Sequence, residues 1–117
     1  MHSVTSNAVA EEIADIGIET FSYTRTSGLS YALQCVKFGK IRIISGHING
    51  SNIANGGVIF KLNSGDFFSG TRYYNAVCES TTAKYPCVIG LANGEVKVYH
   101  NGSNVGGIFL SIIFSIS

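Results

Sequence analysis

Charge is scarce in this chain of 117 residues. Charged side chains make up 13% of it, against about a quarter in an average globular protein. The formal net charge is +1 and there is no basic cluster, which excludes a surface built to attract nucleic acid or an acidic membrane. Ser, Asn, Thr and Gly must therefore cover the turns and surface. A small β-sandwich, or a domain whose flank is hidden in an oligomer, has such a composition.

Cysteine, proline and long apolar runs are also rare. The three cysteines, Cys35, Cys78 and Cys87, form no CxxC pair and leave one unpaired under any bridging scheme. We interpret each as a small buried hydrophobe of a protein folded in a reducing cytosol, with a Cys78–Cys87 bridge across a hairpin as the alternative. The most apolar segment, 108–114, is interrupted by Ser111 and is far too short to cross a membrane. It predicts a core strand and no membrane insertion.

Signatures of catalysis and of metal binding are missing. The histidines His2, His47 and His100 have no companion cysteine or carboxylate at metal-ligand spacing, so we interpret them as exposed residues at turns and strand ends. The chain has no GxSxG motif and no phosphate-binding loop. Asp66 and Glu79 are the only loop-region carboxylates for glycoside hydrolysis, and nothing in the sequence brings them together. The sequence therefore predicts no enzyme, no cofactor and no metal site.

The first segment, residues 1–17, predicts a short helix that serves as a linker. Thr, Ser and Asn at positions 5–7 can cap its start, and a glycine ends it. Val9, Ile13 and Ile16 follow one another at steps of four and three, which gives one narrow apolar stripe. Because so short a helix is unstable alone in water, the stripe predicts association with a copy of itself from another protomer.

The remainder, residues 18–117, predicts an all-β domain. Short alternating runs are separated by Gly, Asn and Ser, which favours an antiparallel β-sandwich or a jelly-roll-like barrel. The Asn93-Gly94 pair between two alternating runs is a strong hairpin signal, because both residues accept a positive φ. The predicted strands are Ile18–Thr26, Leu29–Phe38, Lys40–Ile48, Gly57–Leu62, Arg72–Glu79, Pro86–Ala92, Glu95–His100 and Gly107–Ser117.

Two of these strands carry more apolar side chains than one buried face requires. In Lys40–Ile48 we expect Ile41 and Ile43 to point inward and Arg42 outward. The isoleucine doublet that begins at Ile43 then breaks the alternation, which indicates a bulge or a face buried against a neighbouring subunit. In the last strand, two apolar residues lie opposite the core face. The predicted oligomer interface is Val9, Ile13, Ile16, Ile44, Phe109 and Ile113.

Aromatic and polar side chains are concentrated at two places that could bind a ligand. One follows the longest loop, and the other lies at the turn after the Glu95–His100 strand. Aromatic faces beside amide, carboxylate and guanidinium groups suit saccharides, although the absence of tryptophan counts against this assignment. In the alternative, Tyr73 and Tyr74 are ordinary strand aromatics, one inward and one outward. The candidate ligand-binding residues are Asp66, Arg72, Tyr73, Tyr74, Asn75, Tyr99 and His100.

The segment Ser3–Val9, continuing into Ala10–Ile13, resembles a linker motif of bacteriophage tail-fibre and receptor-binding proteins. In those proteins the motif lies just upstream of a small C-terminal β-domain. The order of strands from Lys40–Gly46 through Gly57–Leu62 to the hairpin at Asn93 is similar to that of such a tip. Tips of this kind often have a proline in the loop after the strand that corresponds to Gly57–Leu62, and this chain has none there.

The resemblance implies a homotrimeric tip domain at the distal end of a phage fibre. Such a tip would recognise a host bacterial surface saccharide or another envelope component without catalysis. Its other partners would be upstream fibre or baseplate proteins, and its location the virion tail, after assembly in the host cytoplasm. Two alternatives remain open: a structural trimerisation or folding cap without a ligand, and a polysaccharide-degrading tip.

Overall fold

The computed structural model describes residues 17–81 and 83–116. The predicted N-terminal helix, with Val9, Ile13 and Ile16, lies outside the described residues except for Gly17. The described ranges form nine strands and no helix: β1 Glu19–Thr20, β2 Tyr23–Arg25, β3 Ser30–Phe38, β4 Ile41–Asn49, β5 Val58–Leu62, β6 Thr71–Glu79, β7 Lys84–Ala92, β8 Glu95–Tyr99 and β9 Gly107–Ser115. Every pair of neighbouring strands is antiparallel, in the order β1-β3-β4-β9-β6-β7-β8-β5-β2. The predicted all-β antiparallel class is confirmed.

The sheet is rolled so that its two edges approach each other. β1 and β2 lie at opposite edges, yet only Phe21 and Ser22 separate them in the chain. The hydroxyl of Tyr31 on β3 donates a hydrogen bond to the carbonyl of Ile59 on β5, which closes the gap between the edges. The single strand predicted over Ile18–Thr26 is therefore wrong, because the chain crosses there from one edge of the sheet to the other.

Strand β6 connects the two layers of the sandwich. It pairs along its whole length with β7 but pairs with β9 only through Val77, Cys78 and Glu79. Beyond these residues the two neighbours of β6 diverge. β1, β3, β4 and β9 form one layer, and β7, β8, β5 and β2 form the other with the remainder of β6.

Apolar side chains from the facing sides of both layers fill the core. Each large aliphatic or aromatic side chain that is fully buried stabilises the fold by about 1.5–3 kcal/mol. Phe68, in the loop after β5, meets Phe114 of β9 edge to face, with ring centroids 5.5 Å apart. The largest fully buried side chains are Phe60, Ile44, Ile48, Ile59, Ile89, Leu91, Ile108, Val96, Val98 and Val105.

The facing of strand β4 is the reverse of the prediction. Arg42 points inward and is 4% exposed, whereas Ile41 and Ile43 lie half-buried on the outer side. The charge is tolerated inside because Asp66 accepts a hydrogen bond from Arg42 at 2.8 Å. Ile44 is fully buried in the core of its own chain, so it is not available to a neighbouring subunit.

Strand β4 has no bulge, which was one of the two explanations offered for its isoleucine doublet. Its pairing with β3 runs without interruption from Asn49 opposite Ser30 to Ile41 opposite Phe38. An irregularity lies instead in β5, where the register with β8 shifts between Val58 and Phe60. The isoleucine doublet of β4 therefore reflects two apolar faces, one toward the core and one outward.

The predicted hairpin at Asn93-Gly94 joins β7 to β8. Both residues have positive φ values, 53° and 81°, as a two-residue turn of this kind requires. The turn is fixed from outside by the backbone N–H of Leu62, which donates to the carbonyl of Gly94 at 2.7 Å. This turn sets which residues of β8 lie beside those of β7, and so positions the candidate site.

Candidate functional site

Four of the seven predicted ligand-binding residues, drawn from both predicted clusters, meet on one outer face of the sandwich: Tyr73, Asn75, Tyr99 and His100. β7 lies between β6 and β8, and the pairing is continuous across all three strands. Asn75 lies opposite Val88, which in turn lies opposite Tyr99. One row further along, Tyr73 lies opposite Gly90. Residues that are about 25 positions apart in the sequence therefore share one surface.

The rings of Tyr73 and Tyr99 close over the backbone of β7. Tyr73 is 66% exposed and Tyr99 is 38% exposed. Their ring centroids are 6.3 Å apart and the planes cross at 63°, an edge-to-face arrangement. A Cβ atom added at Gly90 would lie 2.8 Å from the Tyr99 ring and 3.3 Å from the Tyr73 ring. The absence of a side chain at Gly90 thus allows two aromatic rings to meet at the surface.

A cleft of about 460 Å³ adjoins the Tyr99 ring. Three asparagine side chains supply carboxamide groups, each of which both donates and accepts hydrogen bonds. Among the described residues that line the cleft there is no Asp, Glu, Lys or Arg. The lining residues are Asn55, Asn75, Pro86, Cys87, Val88, Tyr99, His100 and Asn101.

His100 holds the two loops that wall this cleft. Its Nε2 lies 2.7 Å from the carbonyl oxygen of Ile53, which can only accept, so Nε2 carries the proton. Its Nδ1 accepts a hydrogen bond from the backbone N–H of Gly102 at 3.2 Å. Its own backbone N–H donates to Oδ1 of Asn55 at 2.9 Å. With both ring nitrogens engaged in this way, the imidazole acts as a brace between loops.

Three of the seven predicted ligand-binding residues lie elsewhere. The Asp66 carboxylate is bound to Arg42, and its side chain is only 14% exposed. The Arg72 guanidinium lies 4.0 Å from the ring centroid of Phe68, so it covers the core at the other end of β6. Tyr74 packs against the core while Tyr73 faces outward, which is the arrangement expected of ordinary strand aromatics.

Sequence reasoning missed several residues of the site. Pro86, Val88 and Gly90 belong to β7, and the Asn93-Gly94 turn could have located the last two, because the hairpin register places them opposite Tyr99 and Lys97. No sequence signal pointed to Asn55, which reaches the cleft from the loop before β5.

Cys87 contributes an inert thiol to the cleft. Burial, together with a hydrogen bond to the Cys78 thiol, raises the pKa of Cys87 to about 12, so the nucleophilic thiolate is strongly disfavoured. Burial also raises the pKa of Cys35 to about 11. All three cysteines are buried and free. The interpretation as small buried hydrophobes is confirmed, and the alternative Cys78–Cys87 bridge is not formed.

The outer face of the other layer carries the remaining predicted interface residues. Ile113 of β9 is 59% exposed and continues a row with Ile43 and Val36 on the neighbouring strands. Phe109 is half-buried, because the His47 ring stacks on it at a centroid distance of 4.1 Å. Phe109 is thus partly covered within its own chain, and Ile113 remains open.

Residues 17–81 and 83–116 contain neither a metal-binding cluster nor a helix that could span a membrane. No group of three or more His, Cys, Asp or Glu side chains is arranged to hold a metal ion. Within the same ranges, no helix has the length and apolar character needed to cross a membrane.

Comparison with known proteins gives a likeness of fold. No protein-family model and no curated protein matches the sequence. The head domain of the receptor-binding protein of lactococcal phage bIL170 superposes with a TM-score of 0.67 at 16% identity, over 86% of this chain and 99% of that domain. The receptor-binding protein gp15 of Listeria phage PSA superposes with a TM-score of 0.63 at 20% identity, over 93% of this chain and 71% of that protein. The resemblance first drawn from the sequence is confirmed in three dimensions: this chain has the fold of phage receptor-binding head domains.

Proposed function

We propose that this chain is the host-attachment domain of a bacteriophage tail, a homotrimeric tip that binds a bacterial surface saccharide without catalysis. One observation carries the proposal: the exposed rings of Tyr73 and Tyr99 adjoin a cleft lined by carboxamides. The fold shared with two phage receptor-binding proteins supports the role in attachment.

The chemistry of the outer face of β6, β7 and β8 suits a sugar. The C–H faces of a pyranose pack on aromatic rings, and its hydroxyl groups donate to and accept from carboxamides. Tyr73 offers an open ring, and Asn75 lies one row away on the same face. A shallow site of this kind binds one sugar weakly. Three copies on one tip would raise the overall affinity through effective concentration.

The outer face of β3, β4 and β9 supports the proposed association of copies. Around the exposed Ile113 the outward residues of these strands include no Asp, Glu, Lys or Arg. An uncharged, partly apolar sheet face is typical of a surface that another protein chain covers. With Val9, Ile13 and Ile16 of the N-terminal segment, this face would form the trimer contact. The outward residues nearest Ile113 are Gln34, Val36, Phe38, Ile41, Ile43, Ser45, Ser111 and Ser115.

The cleft gives no support to the polysaccharide-degrading alternative. Glycoside hydrolysis uses a pair of carboxyl groups on either side of the scissile bond. Asp66 is bound to Arg42, and Glu79 lies 3.8 Å from Lys84. Neither lines the cleft.

Cell binding by the labelled wild-type chain, measured across a panel of bacterial strains, tests the attachment role. We expect saturable binding to a subset of strains, and a loss of at least about tenfold in Tyr73→Ala, because removing one stacking contact acts three times in a trimer. Tyr73→Phe keeps the ring and is the matched control. Wild-type binding to no strain in the panel would favour the structural cap.

Light scattering tests the oligomeric state. We expect a mass of three chains for the wild type, and a shift toward the monomer in Ile113→Lys, which places a charge on the apolar face. Thr71→Lys, an exposed position on the other layer, is the control. A monomeric wild type at high concentration would contradict the trimer.

A further inference from the structure

We infer that the cleft selects an uncharged saccharide, and that phosphate or carboxylate groups of a host polymer play no part in its recognition. The inference rests on the proposed attachment function and names the chemical class of its ligand. It follows from the charge, the hydrogen-bonding groups and the aromatic surface of the site, taken in turn.

On the outer face of β6, β7 and β8, each described cation lies beside a carboxylate. None of the described residues that line the cleft carries a formal charge. Lys97 of β8 lies opposite Gly90, and its Nζ is 3.8 Å from a carboxylate oxygen of Glu95. At the other end of this face Lys84 lies 3.8 Å from Glu79. Each of these cations already has a carboxylate beside it.

An anion placed in this cleft would lose water without gaining a counter-charge. Proteins bind phosphate and carboxylate through Arg, Lys or convergent backbone N–H groups. The cost of desolvating an ionic group without such partners is large. A neutral hydroxyl group is desolvated at much lower cost, and a carboxamide partner offsets that cost.

The ring nitrogens of His100 already have partners within the protein. Its Nδ1 accepts the hydrogen bond of the Gly102 backbone N–H, and its Nε2 donates to the carbonyl of Ile53. An anion in the cleft would have to replace one of these contacts, which hold the two loops together.

The aromatic surface and the asparagines together match the two faces of a sugar ring. Tyr73 is open to solvent on the face that Tyr99 does not contact, because the two rings meet edge to face. Asn75, Asn101 and Asn55 line the adjoining cleft. A hexose, deoxyhexose or N-acetylhexosamine unit could place its C–H face on Tyr73 and its hydroxyl groups toward the asparagines.

An array of defined saccharides tests the inference with the full wild-type chain. The neutral probes are oligosaccharides of hexoses, deoxyhexoses and N-acetylhexosamines, and the anionic probes are poly(glycerol phosphate) and polygalacturonate. We expect binding to a neutral probe, with an affinity that changes less than about twofold when NaCl is raised to roughly 0.5 M, because salt screens charge and not stacking.

Three variants test where the sugar binds. We expect Tyr73→Ala to weaken binding of the neutral probe by about tenfold and Tyr73→Phe by less than about twofold. Asn75→Asp conserves the shape of the side chain and adds a negative charge. This variant should lower the affinity for a neutral ligand by no more than about tenfold, through the loss of one hydrogen-bond donor. It should lower the affinity for an anionic ligand far more, because the new carboxylate repels the anion.

The outcomes separate this inference from the attachment role. Binding to anionic probes alone, with a steep loss at high salt, would overturn the neutral class and leave the attachment role standing. Binding of a neutral probe that is unaffected by Tyr73→Ala would overturn the placement of the site. If no probe and no bacterial strain binds the wild type, both proposals fail.

Discussion

Removal of the Asp66 carboxylate is expected to destabilise the domain more than removal of the cation it neutralises. Nε of Arg42 donates to Oδ1 of Asp66 at 2.8 Å, and Nη1 donates to the carbonyls of Gly39 and Ile41 at 2.8 and 3.0 Å. In Asp66→Ala the guanidinium stays buried, near the ring of Phe21. It keeps its carbonyl partners but loses the one carboxylate that pairs with it among the described residues. Carbonyl groups solvate a cation but do not neutralise it.

The two single variants should differ in magnitude. Breaking a buried ion pair by removing one partner costs about 3–5 kcal/mol. The lower end applies to Asp66→Ala, since Arg42 retains three carbonyl contacts, with Gly39, Ile41 and Gly65, and the Asp66 side chain is 14% exposed. Arg42→Met should cost about 1–2 kcal/mol, because methionine fills the space while the near-surface Asp66 can be hydrated. The double variant should then be more stable than Asp66→Ala alone.

Urea unfolding followed by circular dichroism at fixed protein concentration measures these free energies. A loss of about 3 kcal/mol corresponds to a fall of about 10–15 °C in Tm for a domain of this size. A loss below about 1 kcal/mol in Asp66→Ala, or a double variant less stable than Asp66→Ala, would refute the reasoning. Cell binding by Asp66→Ala below its Tm should match the wild type, since this carboxylate does not line the cleft.

Three further predictions follow from close approaches, burial and turn geometry. Gly90→Ala should move the rings of Tyr73 and Tyr99, because the new Cβ atom would lie 2.8 Å from the Tyr99 ring. We expect this variant to bind saccharides on the array about tenfold more weakly, while its free energy of unfolding falls by only about 1 kcal/mol. Unchanged binding would contradict the role of the two rings. Burial raises the pKa of the Cys35 thiol from about 9 to about 11. The protonated thiol therefore contributes fully to the free energy of unfolding below about pH 9. That contribution is lost as the pH rises toward about 11, at about 1.4 kcal/mol per pH unit. Urea unfolding at a series of pH values from about 9 to about 11 should show that the free energy of unfolding falls less steeply with pH in Cys35→Ala than in the wild type. An equal slope in the two proteins would contradict the raised pKa of Cys35. Gly94→Ala places a side chain at φ 81° and should lower the free energy of unfolding by about 1–2 kcal/mol, so an unchanged urea midpoint would contradict the turn assignment.

Local patterns were enough to find most of the strands. Alternation of period two and the turn residues between runs depend only on neighbours in the chain, and strands such as β6 and β9 begin within one residue of their predicted positions. The Asn93-Gly94 hairpin is local in the same sense. The division of the Ile18–Thr26 segment into two strands does not depend on local sequence, because β1 pairs with β3 and β2 pairs with β5. Only the closure of the rolled sheet determines where that chain segment divides.

The facing of β4 shows why charge is an unreliable guide to orientation. Arg42 was placed outward because an isolated charge is costly to bury. Its partner Asp66 comes from a loop 24 residues further along the chain, and no local pattern announces such a pairing. Once the arginine points inward, Ile44 and Ile48 must follow it into the core, since alternate residues of a strand share a face.

The candidate site combines a rigid floor with adjustable walls. Its floor is three paired strands, where Gly90 and the register of the hairpin fix the positions of Tyr73 and Tyr99. Its walls are two loops that carry Asn55 and Asn101 and that meet through the hydrogen bonds of His100. Under the proposed function, substitution in the walls should change which hydroxyl groups are recognised, while the strands keep their register and the rings keep their positions. The proposal thus places specificity for one sugar over another in the loops, and the general affinity for saccharides in the sheet.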